Sequence, residues 1–163
     1  MNLSKKVFAL GVVITVTCGL CAYAENITKF SSKFVKHFKD CEPYQETITS
    51  NFEGNTFTTD RKILGWSNGY CKYEEVVKTT DESYKLNCRF AALQVDDLYD
   101  SMKSKSKDID SYGLETFMEK TDEKTGKSTF VSNGITTIKG NAAYITWAKY
   151  QNNPYFCKPE KLK

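Results

Sequence analysis

Six Cys, one His and a scatter of acids are the side chains with the chemistry to do more than pack. Cys18 and Cys21 stand in the C-x-x-C spacing of a redox pair. Cys41, Cys71, Cys88 and Cys157 lie far apart and share no such spacing. A zinc site would have to gather all four from scattered positions, since His37 is the one imidazole in the chain. Disulfides are the simpler use, and four Cys allow three pairings. His37 sits between Lys36 and Phe38, and nothing nearby looks like a nucleophile elbow. A Ser-His-Asp triad would need that one His. Glu74, Glu75, Asp81, Glu82, Asp96 and Asp97 leave a two-carboxylate hydrolase open, because spacing in sequence does not set spacing in space. As neighbouring acids in turns and at a helix start, they read first as structural. Gly126-Lys127-Ser128 copies the end of a phosphate-binding loop, but Thr121 stands where the motif needs its first Gly. Asp108-Ile109-Asp110 is a partial echo of a calcium loop and lacks the rest. No catalytic, cofactor-binding or metal-ligating set emerges.

The start of the chain explains the odd pair of Cys. Residues 1–24 read as a secretory signal peptide: Lys5 and Lys6, an apolar run over Val7–Thr17, and an Ala22-Tyr23-Ala24 cleavage site. The apolar run is shorter than the roughly 20 residues a membrane span needs. Neither Cys18 nor Cys21 is preceded by a lipobox. Cleavage would remove both, and leave a mature domain over 25–163, 139 of the 163 residues. Its 21 basic and 20 acidic residues give no field to steer a nucleic acid or an anionic membrane. Export also means an oxidising compartment, where disulfides persist.

Hydrophobic spacing then lays out the elements. Ile27, Phe30, Phe34, Val35 and Phe38 recur at helical spacing and predict a helix from Ile27 to Asp40, stopped by Pro43. Strands are expected over Tyr44–Thr49, Thr56–Trp66, Tyr70–Thr79 and Tyr84–Phe90. Phe52–Asn55, Asn68-Gly69 and Thr80–Glu82 are read as their turns. Leu93, Val95, Leu98 and Met102 predict a helix over Ala91–Met102. A mobile polar linker is expected over about 103–112. Gly113–Glu119 reads as a strand, and Ser128–Ser132 and Ile135–Lys139 as strands about a second turn, Asn133-Gly134. Ala142–Gln151 could be strand or helix. Ala142-Ala143, with Asn141 as N-cap, tips it to helix.

A two-residue turn at Asn68-Gly69 would pair Trp66 with Cys71, Leu64 with Tyr73 and Lys62 with Glu75. If Cys71 also faces Cys88, then Leu64, Trp66, Cys71, Tyr73, Leu86 and Cys88 share one core face. That register predicts a Cys71–Cys88 disulfide and, by elimination, Cys41–Cys157. It also predicts a structural Lys62–Glu75 ion pair. The fold class expected is α+β. An N-terminal helix packs on a four-stranded antiparallel meander, followed by a helix and a small β/α C-terminal part, with disulfides stapling the whole.

Cys41-Glu42-Pro43-Tyr44, then Gly65-Trp66-Ser67-Asn68-Gly69-Tyr70-Cys71-Lys72-Tyr73, then Cys88-Arg89-Phe90, make a pattern of turns and cystines. With the late Cys157, this stretch resembles a group of short secreted bacterial proteins to which no function is assigned. The resemblance implies a secreted, stapled fold and no site residues. Tyr44, Tyr70, Tyr84, Tyr144, Tyr150 and Tyr155 are amphipathic and suit sugar or protein contacts wherever they reach the surface. The expectation is a non-enzymatic secreted or periplasmic protein that binds a macromolecular or envelope partner, protein or glycan. It would use no cofactor, bind no nucleic acid and span no membrane after signal cleavage. An inhibitor of a hydrolase, such as a lysozyme or protease, is one alternative. A small two-carboxylate hydrolase is the other.

Overall fold

In–out alternation along Tyr70–Val76 and Ser83–Phe90 is what a sheet with one covered face requires. The computed structural model describes residues 30–52, 55–78, 83–104 and 107–162. Helix α1 is Ser32–Lys39, followed by strands β1 Tyr44–Phe52, β2 Asn55–Ser67, β3 Tyr70–Lys78 and β4 Ser83–Phe90. Helix α2 is Ala92–Lys103, β5 Asp110–Thr121, β6 Ser128–Gly140, α3 Ala142–Gln151 and β7 Cys157–Lys161. The chain is α+β, and β1 to β4 form the expected antiparallel meander. β7 adds a fifth strand beside β4 that the sequence reading missed. The expected signal segment, the expected start of the first helix and the turn residues 53–54 and 79–82 lie outside the described residues. So do 105 and 106, in the expected linker. Lys103 ends α2 and Asp110 opens β5, which leaves 104–109 between them. Among the described residues no helix is long and apolar enough to cross a membrane.

A single bulge changes the register expected for β2. Trp66 pairs with Cys71 as the Asn-Gly turn dictates, and Gly65 pairs with Lys72. Leu64 is then the extra residue, and Ile63 pairs with Tyr73. Gly65 takes φ +97°, a backbone state that side-chain-bearing residues rarely adopt, and it lies against Pro43 and the Cys41 carbonyl. Every residue before the bulge has therefore changed faces. Ile63 is buried, while Leu64 stands half exposed. Arg61, not Lys62, faces the helices and meets Glu75, so the expected Lys62–Glu75 pair does not form. Trp66 is also half exposed rather than core, and its indole N–H donates to the Asp40 carbonyl at 3.0 Å.

The disulfides are likewise not the expected ones. They join Cys41 to Cys71 and Cys88 to Cys157. The β3–β4 register runs two residues beyond the expected one: Cys71 faces Phe90 and Tyr73 faces Cys88. A slip of two keeps every side chain on its face, so the core assignment of Cys71, Tyr73, Leu86 and Cys88 holds while the pairing fails. Cys88 finds Cys157 directly opposite on β7. Cys71 finds Cys41 just past α1. There the Cys41 N–H bonds the Phe38 carbonyl and the Glu42 N–H bonds the His37 carbonyl, a Schellman end that puts Cys41 at φ +52°.

All three helices lie on the covered face. α1 brings Phe34 and Phe38, α2 brings Val95, Leu98 and Met102, and α3 brings Trp147 and Tyr150, onto Ile63, Tyr73, Leu86 and Phe90. Ser31 caps α1 by accepting the Phe34 N–H at 3.0 Å. Asn141 caps α3 in the same way, with Tyr144 at 2.9 Å, and Ala142–Gln151 is helix as expected. β5 and β6 form a separate two-stranded ribbon seated on α3 through Leu114, Ile138 and Ala148. The second Asn-Gly does not turn the chain: β6 runs straight through it. Asn133 is bulged between Ser132 and Gly134, and Gly134 takes φ +121°.

Candidate functional site

Among the polar clusters of the sheet, one on each face bears on function. On the covered face, Glu46, Arg61 and Glu75 stand side by side on β1, β2 and β3, through the pairings Glu46–Arg61 and Arg61–Glu75. The guanidinium lies between the two carboxylates, with Nε 3.5 Å from Glu75 and Nη1 3.9 Å from Glu46. These are ion-pair rather than hydrogen-bond distances. Phe30 covers the guanidinium from above, 4.7 Å from its ring centre. Glu75 also accepts from the Tyr73 hydroxyl and, at 3.1 Å, from the Gln151 amide, while Glu46 accepts from Ser31. Burial, and then the charge of Glu75, push the Tyr73 hydroxyl well above the ordinary tyrosine value. Two carboxylates do share a face here. The space a scissile bond would take is filled by a cation, a pattern that suits holding the helix layer to the sheet.

The outer face is different. Leu64, Lys72, Glu74, Asn87, Arg89, Tyr155, Phe156 and Lys158 line an open groove of about 280 Å³ across β3, β4 and β7. Alternation puts them there. Cys71, Cys88 and Cys157 point inward, so Lys72, Arg89 and Lys158, each the next residue along, point outward. Lys72 and Arg89 are direct cross-strand partners, and Lys158 pairs with Asn87. Tyr70 takes both of the first two cations over its ring, Lys72 at 5.6 Å and Arg89 at 5.5 Å. The Arg89 Nε donates to the Tyr155 carbonyl at 3.4 Å. The groove's one acid, Glu74, is engaged by Lys85 at 3.0 Å. Among the described residues, Lys72, Arg89 and Lys158 form no ion pair with a carboxylate. Tyr155, 61% exposed, stands at the mouth, and Phe117 of the ribbon meets it edge-on.

The residues singled out from sequence are mostly dispersed. His37 stacks on Tyr44 at 4.7 Å and lies 3.1 Å from Glu42. Glu74 and Glu75 sit on opposite faces. Asp97 accepts from the Tyr150 hydroxyl at 2.8 Å, and Asp96 is exposed. Burial, then that bond and the Asp97 charge, raise the Tyr150 hydroxyl too. Asp81 and Glu82 lie outside the described residues. Gly126-Lys127-Ser128 closes the β5–β6 turn, which Asp122 organises by accepting the Lys124 and Thr125 N–H groups. Among the described residues no three His, Cys, Asp or Glu gather as metal ligands. Of the six tyrosines read as a contact surface, Tyr70 and Tyr155 are exposed, while Tyr84 and Tyr150 are buried. Lys72, Arg89 and Lys158 were missed, although three Cys-cation dipeptides, on strands that prove adjacent, signal them.

Compared with family models, curated proteins and solved structures, the chain matches none.

Proposed function

We propose that this is an exported, non-enzymatic binding protein whose working surface is the outer face of the five-stranded sheet. The carrying observation is the groove over β3, β4 and β7, where three cations lack a carboxylate partner among the described residues. The stapled scaffold supports it. Cys41–Cys71 and Cys88–Cys157 tie β3 and β4, the floor of the groove, to α1 and to β7. A rigid floor lowers the ordering cost of binding. Two disulfides suit an oxidising compartment, in keeping with the signal-peptide reading of residues 1–24. The carboxylate pair most reminiscent of a hydrolase supports the same conclusion, since Glu46 and Glu75 are engaged by Arg61. The partner is a macromolecule or component of the cell envelope that presents negative charge. Co-sedimentation of the protein with the envelope fraction of its source cells tests this reading. Arg89→Glu with Lys158→Glu should abolish sedimentation while leaving circular dichroism unchanged. Undiminished sedimentation of that variant would rule the groove out.

A further inference from the structure

We infer that the groove takes a linear acidic polysaccharide, one whose carboxylates recur along a chain of sugar rings. The inference rests on the outer face being the working surface and names what that surface recognises. Its first support is a conflict built into the sheet. Lys72 and Arg89 are directly opposite on antiparallel strands, a like-charge arrangement that opposes folding. The described residues offer this pair no carboxylate, and Glu74, the nearest candidate in the groove, is held by Lys85. The ring of Tyr70 takes up part of the strain by lying under both cations. A bound carboxylate would relieve the rest.

The second support is the layout. Lys72, Arg89 and Lys158 lie on three adjacent strands, and Lys158 sits two residues along from Arg89, so their backbone positions span roughly 12 Å, twice the strand spacing across and about 7 Å along. A chain carrying acids on successive rings matches that spread. Arg89 presents a planar fork that suits a carboxylate in two-point contact. The Lys72 and Lys158 ammonium groups act as point charges on either side. The third support is what lines the groove beside the charges. Tyr155 and Leu64 give exposed apolar surface for the C–H faces of sugar rings, and the Asn87 amide, whose nitrogen donates to the Glu160 carboxylate at 3.4 Å, has an oxygen that can accept from hydroxyls. A nucleic acid would need a basic patch in a basic protein, whereas basic and acidic residues nearly balance here.

The test uses the full chain, produced by export so that both disulfides form. Amide NMR and calorimetry follow its titration with oligogalacturonate, a neutral dextran oligomer, polyglutamate and a short DNA duplex. Oligogalacturonate should bind and shift the amides of Lys72, Asn87, Arg89 and Lys158, and dextran should not. Arg89→Glu should weaken binding about tenfold or more. Lys72→Gln should weaken binding while leaving the melting temperature equal or higher, because it removes the like-charge conflict. A merely structural lysine would show the reverse. Equal binding of dextran, or binding of oligogalacturonate that Arg89→Glu does not weaken, overturns the inference. So does tighter binding of polyglutamate or duplex DNA in the groove. If no probe binds while envelope co-sedimentation still depends on Arg89 and Lys158, the glycan assignment fails and the binding surface stands. If co-sedimentation ignores those residues, the underlying reading fails as well.

Discussion

At the scale of single residues, Arg61 carries the most risk. Its guanidinium is nearly buried between Glu46 and Glu75 and under Phe30. Removing one member of a buried ion cluster strands the others without a counter-charge. Arg61→Ala is therefore expected to cost about 3 kcal/mol or more in urea denaturation. Arg61→Met with Glu46→Gln and Glu75→Gln, which discharges the cluster together, should retain most of that stability. Tyr73 and Tyr150 set the behaviour in base. Burial and a neighbouring carboxylate raise both hydroxyls above the ordinary value. The folded state thus keeps protons that the unfolded chain releases. Their contribution is complete below about pH 10, the unperturbed tyrosine value, and is lost as pH rises beyond it. The urea midpoint should fall above that pH, and Tyr73→Phe should flatten the fall. A midpoint that is level through pH 11, or a fall that Tyr73→Phe leaves untouched, would contradict this account of the Tyr73–Glu75 contact.

At the scale of elements, the helices and the meander were legible because local spacing and caps decide them. Asn141 and the Ala142-Ala143 pair fixed α3, and Asn68-Gly69 fixed the β2–β3 turn. The tertiary details were less legible. The bulge at Leu64 needs Gly65 at positive φ against Pro43, and nothing in the alternation of β2 announces that contact. The same bulge swaps Lys62 for Arg61 on the covered face, so the charged cluster could not be read correctly in advance. Asn133-Gly134 carries the same signal as Asn68-Gly69 yet bulges instead of turning, because Asp122 already organises the turn at 122–127. β7 is a short strand with Pro159 in its middle, a composition that argues against a strand except at an edge, where it is found. The disulfides follow from the two-residue difference in register between β3 and β4. Non-reducing peptide mapping should return Cys41 with Cys71 and Cys88 with Cys157, and a Cys71–Cys88 peptide would contradict that register. Replacing Cys88 and Cys157 together by Ala should cost about 4 kcal/mol on the chain-entropy model, given a sequence separation of 69.

At the scale of the whole molecule, the two faces of one sheet differ in what they carry. The inner face is closed by three helices and an internal ion cluster. The outer face keeps its cations on open strands that two disulfides hold to the core. The three Cys-cation dipeptides connect these roles, since the parity of a strand sends each cystine inward and each cation outward. That link could be read from sequence once the Cys were placed in strands, although not the groove that β7 completes. The most direct test of the proposed working surface is hydrogen exchange of the disulfide-bonded protein with and without the envelope fraction of its source cells. Protection should rise at 70–74, 87–89 and 155–158 and stay unchanged along the β5–β6 ribbon. Protection confined to the ribbon or the helices, with the outer sheet face unaltered, would contradict the account.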